Sequence, residues 1–242
     1  MGLFDLFGGS AKEREAKRIR DLAKKSQEKY GDPTGRSRAL EGLRDIGSAD
    51  AIAALLQRFT VHTEPGITDA EEKDYVFGMI TSFGEKAVDP LVDFLRRSDS
   101  VAWAVRCLEE IVPQEELVRI STELLQRLAS EYSRDPEKKV VLINRLSTIH
   151  DDRVPPAVAP FLEDASDEVI IAALANLVEQ KASACADAIA ACLVGAEAPR
   201  VRAAAAAALA DLGTPVESRR EELTAKLPAA FRIGPDAIVR RG

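Results

Sequence analysis

The sequence predicts an all-α chain of about six stacked helix pairs. Three observations lead there. First, Val201-Arg-Ala-Ala-Ala-Ala-Ala-Ala-Leu-Ala-Asp-Leu-Gly213 repeats the design of Arg38-Ala-Leu-Glu-Gly-Leu-Arg-Asp-Ile-Gly47. Each reads as a helix whose last apolar residue precedes a glycine, and each glycine precedes a second helix. Self-similarity of this kind marks an array in which each unit packs only on its neighbours. Second, turn-and-cap signals recur at Asp32-Pro33, Asp69, Asp99, Asp135-Pro136 and Asp167, in steps of 37, 30, 36 and 32 residues. Aspartate ahead of a helix accepts hydrogen bonds from unpaired N–H groups, and proline fits the first turn. Third, apolar residues recur at helical spacing, and the period-two alternation of strands is absent throughout.

The elements follow in order. Ala39, Leu40, Leu43 and Ile46 form the stripe of a first helix; Ile52, Leu55, Leu56 and Phe59 form that of its partner. The second pair runs Tyr75 to Gly84 and Ala87 to Leu95, the third Val101 to Ile111 and Leu117 to Leu128, turning at Val112-Pro113. The fourth joins Val140–Ile149 to Val154–Leu162, the fifth Val169–Val178 to Ala184–Leu193, and the sixth Val201–Leu212 to Val216–Leu227. Gly47, Gly84 and Gly213 sit where a left-handed residue ends a helix without steric cost. The third, fourth and fifth pairs lack that glycine; His150 takes the corresponding place in the fourth, and histidine tolerates the conformation better than most residues.

Arg38-Ala-Leu-x-x-Leu-x-x-Ile-Gly-x-x-x-Ala-Ile-x-x-Leu55 and Val201-Arg-x-x-Ala-Ala-x-Ala-Leu-x-x-Leu-Gly213 resemble the HEAT-repeat family, in particular the short bacterial HEAT-like repeats also found in phycobilisome bilin lyases. The resemblance covers residues 32–228. It implies a curved, right-handed, armadillo-like superhelix whose second helices line a concave face. It is specific for fold and weak for function, because such solenoids serve as scaffolds, adaptors and a few enzymes.

Composition narrows the function. Hydrophobic residues make up 46% of the chain and aromatics only 5%, so alanine-rich helices pack closely and leave little room for a large cavity. No apolar run reaches the roughly 20 residues that span a bilayer. No charged lead followed by an apolar core marks a secretory signal, so the cytoplasm is the expected compartment. Cys107, Cys185 and Cys192 read as small core residues, and no CxxC or Cys/His cluster suggests zinc. The net charge of −7 is uneven: residues 1–30 and 200–242 each carry 8 basic and 5 acidic side chains, whereas residues 31–199 carry 17 basic and 30 acidic ones. An acidic middle argues against a nucleic-acid groove, which needs clustered Lys and Arg, and against the DNA glycosylases that use a HEAT-like solenoid. It is compatible with a basic protein partner.

The ends stand apart. Residues 1–30 combine an apolar tip (Leu3, Phe4, Leu6 and Phe7), a Gly-Gly-Ser hinge and a basic helix striped by Ala16, Ile19, Leu22 and Ala23. Two readings stay open here. The helix caps the first repeat, as solenoids require, or the segment docks on a partner groove or an anionic membrane surface. Residues 229–242, with Gly234-Pro235 and no helical period, read as an extended tail laid over the last repeat through Phe231, Ile233, Ile238 and Val239.

No glycine-rich phosphate loop, GxSxG elbow, HExxH or Cys–His nucleophile occurs. His62 reads as a loop residue; His150 with Asp151 and Asp152 is a weak metal candidate. Trp103 reads as core and Tyr75 is undecided. The expected protein is therefore a non-enzymatic scaffold, without cofactor or metal, that binds another protein. Its candidate partner-binding residues are the Leu/Phe tip and an acidic ridge of Glu85, Asp89 and Asp93 at four-residue spacing, joined by Glu116 and Glu123. The ridge also reads as an ordinary solvated face, diluted by Arg96, Arg97, Arg119 and Arg127. The alternatives are a bilin-lyase-type enzyme and a peripheral membrane adaptor using residues 1–30.

Overall fold

The computed structural model describes residues 11–30, 32–130 and 135–242. Among them are thirteen α-helices, five short 3-10 turns and one two-stranded hairpin. The chain divides into two compact units, one ending at Gln114 and one beginning at Glu115. The boundary falls between the two helices that the sequence pairs third.

In the N-terminal unit, α1 (Ala11–Ser26) is followed by α2 (Pro33–Ile46), α3 (Ala49–Leu56), α4 (Gly66–Thr81), α5 (Val88–Arg97) and α6 (Ala102–Ile111). The first helices α2, α4 and α6 pack side by side, and the second helices α3 and α5 form an adjoining layer. Helix α2 begins where the sequence expects: Asp32 accepts from the N–H groups of Thr34 and Gly35, both at 3.1 Å, and Pro33 occupies the first turn. It ends on Gly47 at φ +59°, and Gly84 and Gly213 are likewise left-handed at +55° and +60°. Leu40, Leu43, Leu55, Leu56, Val76, Ile80 and Leu91 are fully buried between the layers.

Helix α4 departs from the sequence reading. It starts at Gly66, two turns before Tyr75, and Asp69 lies inside its first turn instead of capping it. The buried Asp69 carboxylate faces the preceding loop, accepting from Thr63 at 3.0 Å through both backbone N–H and hydroxyl. Neighbours in space, not position in a helix, set its role.

In the C-terminal unit, α7 (Gln114–Leu128) precedes α8 (Glu137–Ser147), α9 (Val154–Val158), α10 (Asp167–Glu179), α11 (Ala186–Gly195), α12 (Pro199–Leu212) and α13 (Arg220–Lys226). Helices α8, α10 and α12 form one layer. The 3-10 turn Ala159–Glu163 that extends α9, then α11 and α13, form the other. Alanine on both partners brings α11 and α12 together; Ala186, Ala190, Ala205 and Ala206 are buried.

His150 does not take the left-handed position. Helix α8 closes at Thr148 with φ −87°, and the chain continues without inverting. The left-handed ending missing from the middle repeats appears instead at Lys181, φ +53°. There the N–H groups of Lys181 and Ala182 donate to Val178 and Leu177 at 2.9 Å, closing α10 as a glycine would.

The C-terminal residues are paired, not merely laid down. Strands β1 (Phe231–Ile233) and β2 (Val239–Arg241) form an antiparallel hairpin, with Ile233 opposite Val239. Strand β2 packs on α12; Val239 is fully buried, and the Arg241 guanidinium meets Asp211 at 2.6 and 3.0 Å. Three residues per strand are too few to show a period of two in sequence.

Candidate functional site

Each unit carries an open groove between consecutive second helices. In the N-terminal unit α3 and α5 border a depression of about 580 Å³. Burying Ile52, Leu55 and Leu56 on one side of α3 leaves Asp50, Ala53 and Gln57 in solvent on the other. Burying Leu91 and Leu95 likewise turns Asp89, Asp93 and Arg97 of α5 outward. Phe94 lies at the groove and is almost wholly buried.

The candidate residues are divided by this geometry. Asp89 and Asp93 are brought together at the groove and joined by Asp50, whose contribution the ridge pattern did not include. Glu85 is exposed but lies in the 3-10 turn Gly84–Ala87 and does not line the groove, because that turn breaks the four-residue period. Asp93 is partly neutralised by Arg96 at 3.3 Å and Arg97 at 3.7 Å. Glu116 and Glu123 belong to the other unit, and both grip Arg119 at 2.6 Å. The Arg119 guanidinium holds the Glu116 carboxyl below its ordinary range. Leu3, Phe4, Leu6 and Phe7 lie outside the described residues.

Helix α1 packs on α2 and α3, burying Ile19, while Leu22 lies against Gly42. Its apolar stripe is thus spent on the first repeat, and Lys17, Arg18, Arg20, Lys24 and Lys25 face solvent.

A buried polar cluster in the N-terminal unit had no counterpart in the sequence reading. The fully buried Arg58 guanidinium donates to Glu72 Oε1 and Asp69 Oδ1, both at 2.7 Å, and to the Val61 carbonyl at 2.8 Å. Arg36 reaches Glu72 from α2 at 3.1 Å, and Lys73 reaches Asp69 at 2.8 Å. His62, exposed, closes the edge with its Nδ1 3.3 Å from Asp69 Oδ2. Burial by itself would push the Asp69 carboxyl up, but hydrogen bonds from Lys73, Arg58 and Thr63 together hold it far below the ordinary value. Every acid in this cluster is satisfied from within the protein, so it locks α2, α4 and the intervening loop together.

Among the described residues, no group of three or more His, Cys, Asp or Glu side chains is placed to hold a metal ion. Asp151, beside His150, is taken by Arg153 at 2.7 Å, and that guanidinium holds its carboxyl down at about 2. Cys107 is buried, and desolvation pushes its thiol up to about 12; Cys185 and Cys192 are only half-buried, with Cys192 pushed up to about 11 by burial and Glu163. The Trp103 ring is engaged by Phe59 at 5.8 Å, Phe77 at 6.4 Å and Arg106 at 4.3 Å. Tyr75 is half-exposed and donates to Glu41 at 3.3 Å.

The fold is all-α, and each unit is built from paired helices in two layers. Among solved structures, the chain is similar to human deoxyhypusine hydroxylase in complex with glycerol, at 16% identity across 90% of this chain and 92% of that one, with a TM-score of 0.35. No protein-family model matches the sequence, and neither does any curated protein. No helix among the described residues is long and apolar enough to cross a membrane.

Proposed function

We propose that this protein is a non-enzymatic interaction scaffold that holds a basic segment of another protein in the groove between α3 and α5. The observation that supports this most directly is the meeting of Asp50, Asp89 and Asp93 at an open groove beside Phe94. Asp50 and Asp89 have no ion-pair partner among the described residues, so their charge is available to an incoming Lys or Arg. Such contacts act chiefly on association rate and specificity. The Leu/Phe tip, Leu3 to Phe7, is a second docking element in this reading.

The test is titration of the full chain with a fluorescent lysine-rich peptide, compared with Asp89→Asn/Asp93→Asn and with a chain lacking residues 1–10. The double variant should weaken binding about tenfold at low salt and flatten its salt dependence. Affinity capture from the native host should recover a protein that full-length chain retains and the double variant loses. Equal binding by both forms would remove this groove from the function.

A further inference from the structure

We infer that the groove of the C-terminal unit is a second, separate binding site, one that takes a basic amphipathic helix of a partner protein. It lies between the 3-10 turn Ala159–Glu163 and α11, reaches the starts of α10 and α12, and encloses about 670 Å³. Its residues and its unit differ from those of the N-terminal groove, so either site can fail without the other.

Three properties specify the occupant. The first is charge. The charged side chains lining this groove are Glu163, Asp164, Asp167 and Glu197, all acidic and none basic. Asp164 and Asp167 are already answered by Lys139 and Arg200, each at 2.7 Å. Glu163 and Glu197 are exposed and have no ion-pair partner among the described residues. The site thus presents two unanswered carboxylates to a cationic ligand.

The second property is an apolar floor. The half-exposed Ile170 and the small apolar side chains of Ala165, Ala188 and Ala191 line the groove over the buried Leu162 and Val201, so a ligand that is only a cation would leave this surface wet. An amphipathic ligand satisfies both parts at once, burying apolar side chains in the groove while its cations stay at the rim.

The third property is relief. Ala188, Ala191 and Gly195 recur at three- and four-residue spacing along α11, and no atom approaches within 4 Å of where a Gly195 side chain would start. With so little side chain on that face, a second helix approaches towards the lower end of the roughly 8–10 Å interaxial range. From Ala188 to Gly195 the face rises about 10.5 Å, room for two turns of a partner. Groove-seated amphipathic helices are recognised through anchors at such i, i+3, i+4 and i+7 positions.

Two variants of the full chain test this with a fluorescein-labelled lysine/leucine amphipathic peptide, with folding checked by circular dichroism. Ala191→Trp fills the groove and should weaken binding by at least about tenfold, as loss of a central anchor does. Glu163→Gln/Glu197→Gln should leave the groove open, weaken binding several-fold and flatten its salt dependence. Asp89→Asn/Asp93→Asn should leave this site intact, which is read separately because Cys192 lines it. Bound peptide should slow alkylation of Cys192, located by peptide mass, and leave Cys185 unchanged. The proposal is overturned if Cys192 is unprotected at saturating peptide, or if Glu163→Gln/Glu197→Gln binds as the parent does. It is equally overturned if hexylamine protects Cys192 and the peptide does not, since the site would then take a small cation.

Discussion

Arg58 Nε lies 2.7 Å from Glu72 Oε1, with the arginine side chain wholly out of solvent. Fourteen residues separate the two, and the same carboxylate also receives Arg36 from α2. One glutamate of α4 therefore ties together three segments of the first two repeats. Isolated buried charges are costly, and this pair persists because each polar atom has a partner.

Removing one member should be severe. Arg58→Ala leaves Glu72 with Arg36 and Asp69 with Lys73 but removes the cation they share from a desolvated site, and should lower unfolding free energy by about 3 kcal/mol, read by chemical denaturation. A loss below about 1 kcal/mol would mean that water reaches the cluster freely.

Asp69 makes stability depend on acid. Its carboxyl titrates lower in the folded protein than its ordinary value of about 3.9. Its contribution is therefore complete above that value and is lost as pH falls through the lower, folded one. Stability of the parent should drop as pH is taken below about 4, and Asp69→Asn should be less stable at neutral pH with a shallower acid limb. Parallel pH profiles for the two would contradict this.

The helix endings yield a pair of opposite effects. Lys181→Gly relieves a left-handed non-glycine residue and should stabilise by about 1 kcal/mol. Gly47→Ala imposes the same strain and sets its methyl 3.2 Å from Phe83 Cε1, so it should destabilise by about 1 kcal/mol or more. Thermal melts of both variants give the signs directly.

Deleting residues 229–242 should expose the face of α12 beneath Val239. Loss of that fully buried side chain is worth about 1.5–3 kcal/mol. Arg241→Ala, removing only the exposed contact to Asp211, should cost below about 1 kcal/mol. Similar losses for the two would show that the ion pair, not the buried strand, holds the hairpin.

Much of the fold was legible because its causes are local. Asp32, Pro33 and Gly47 act on their own helix ends, so neighbouring letters reveal them, and the stripe from Ala39 to Ile46 declares the face that α2 buries. Asp89 and Asp93 were legible for the same reason, being four apart on one helix. Asp50 was not, since only packing of α3 beside α5 brings it to their groove. Glu85 differs in the other direction: it lies in the 3-10 turn Gly84–Ala87, which changes the four-residue period and keeps it out of the groove lining.

By itself the sequence determined that this chain is all-α, where most first and second helices lie, and which residues close three of their turns. Period, caps and glycine conformation depend on contacts within a few residues. The tertiary structure alone decided that Arg36, Arg58, Asp69 and Glu72 share one buried cluster, and that Val239 folds back on α12. It alone decided which acids meet at each groove. Those relationships join residues from 11 to tens of positions apart, and burial changes the sign of their energetics: a charge solvated on an isolated helix must find its partner once packing removes the water.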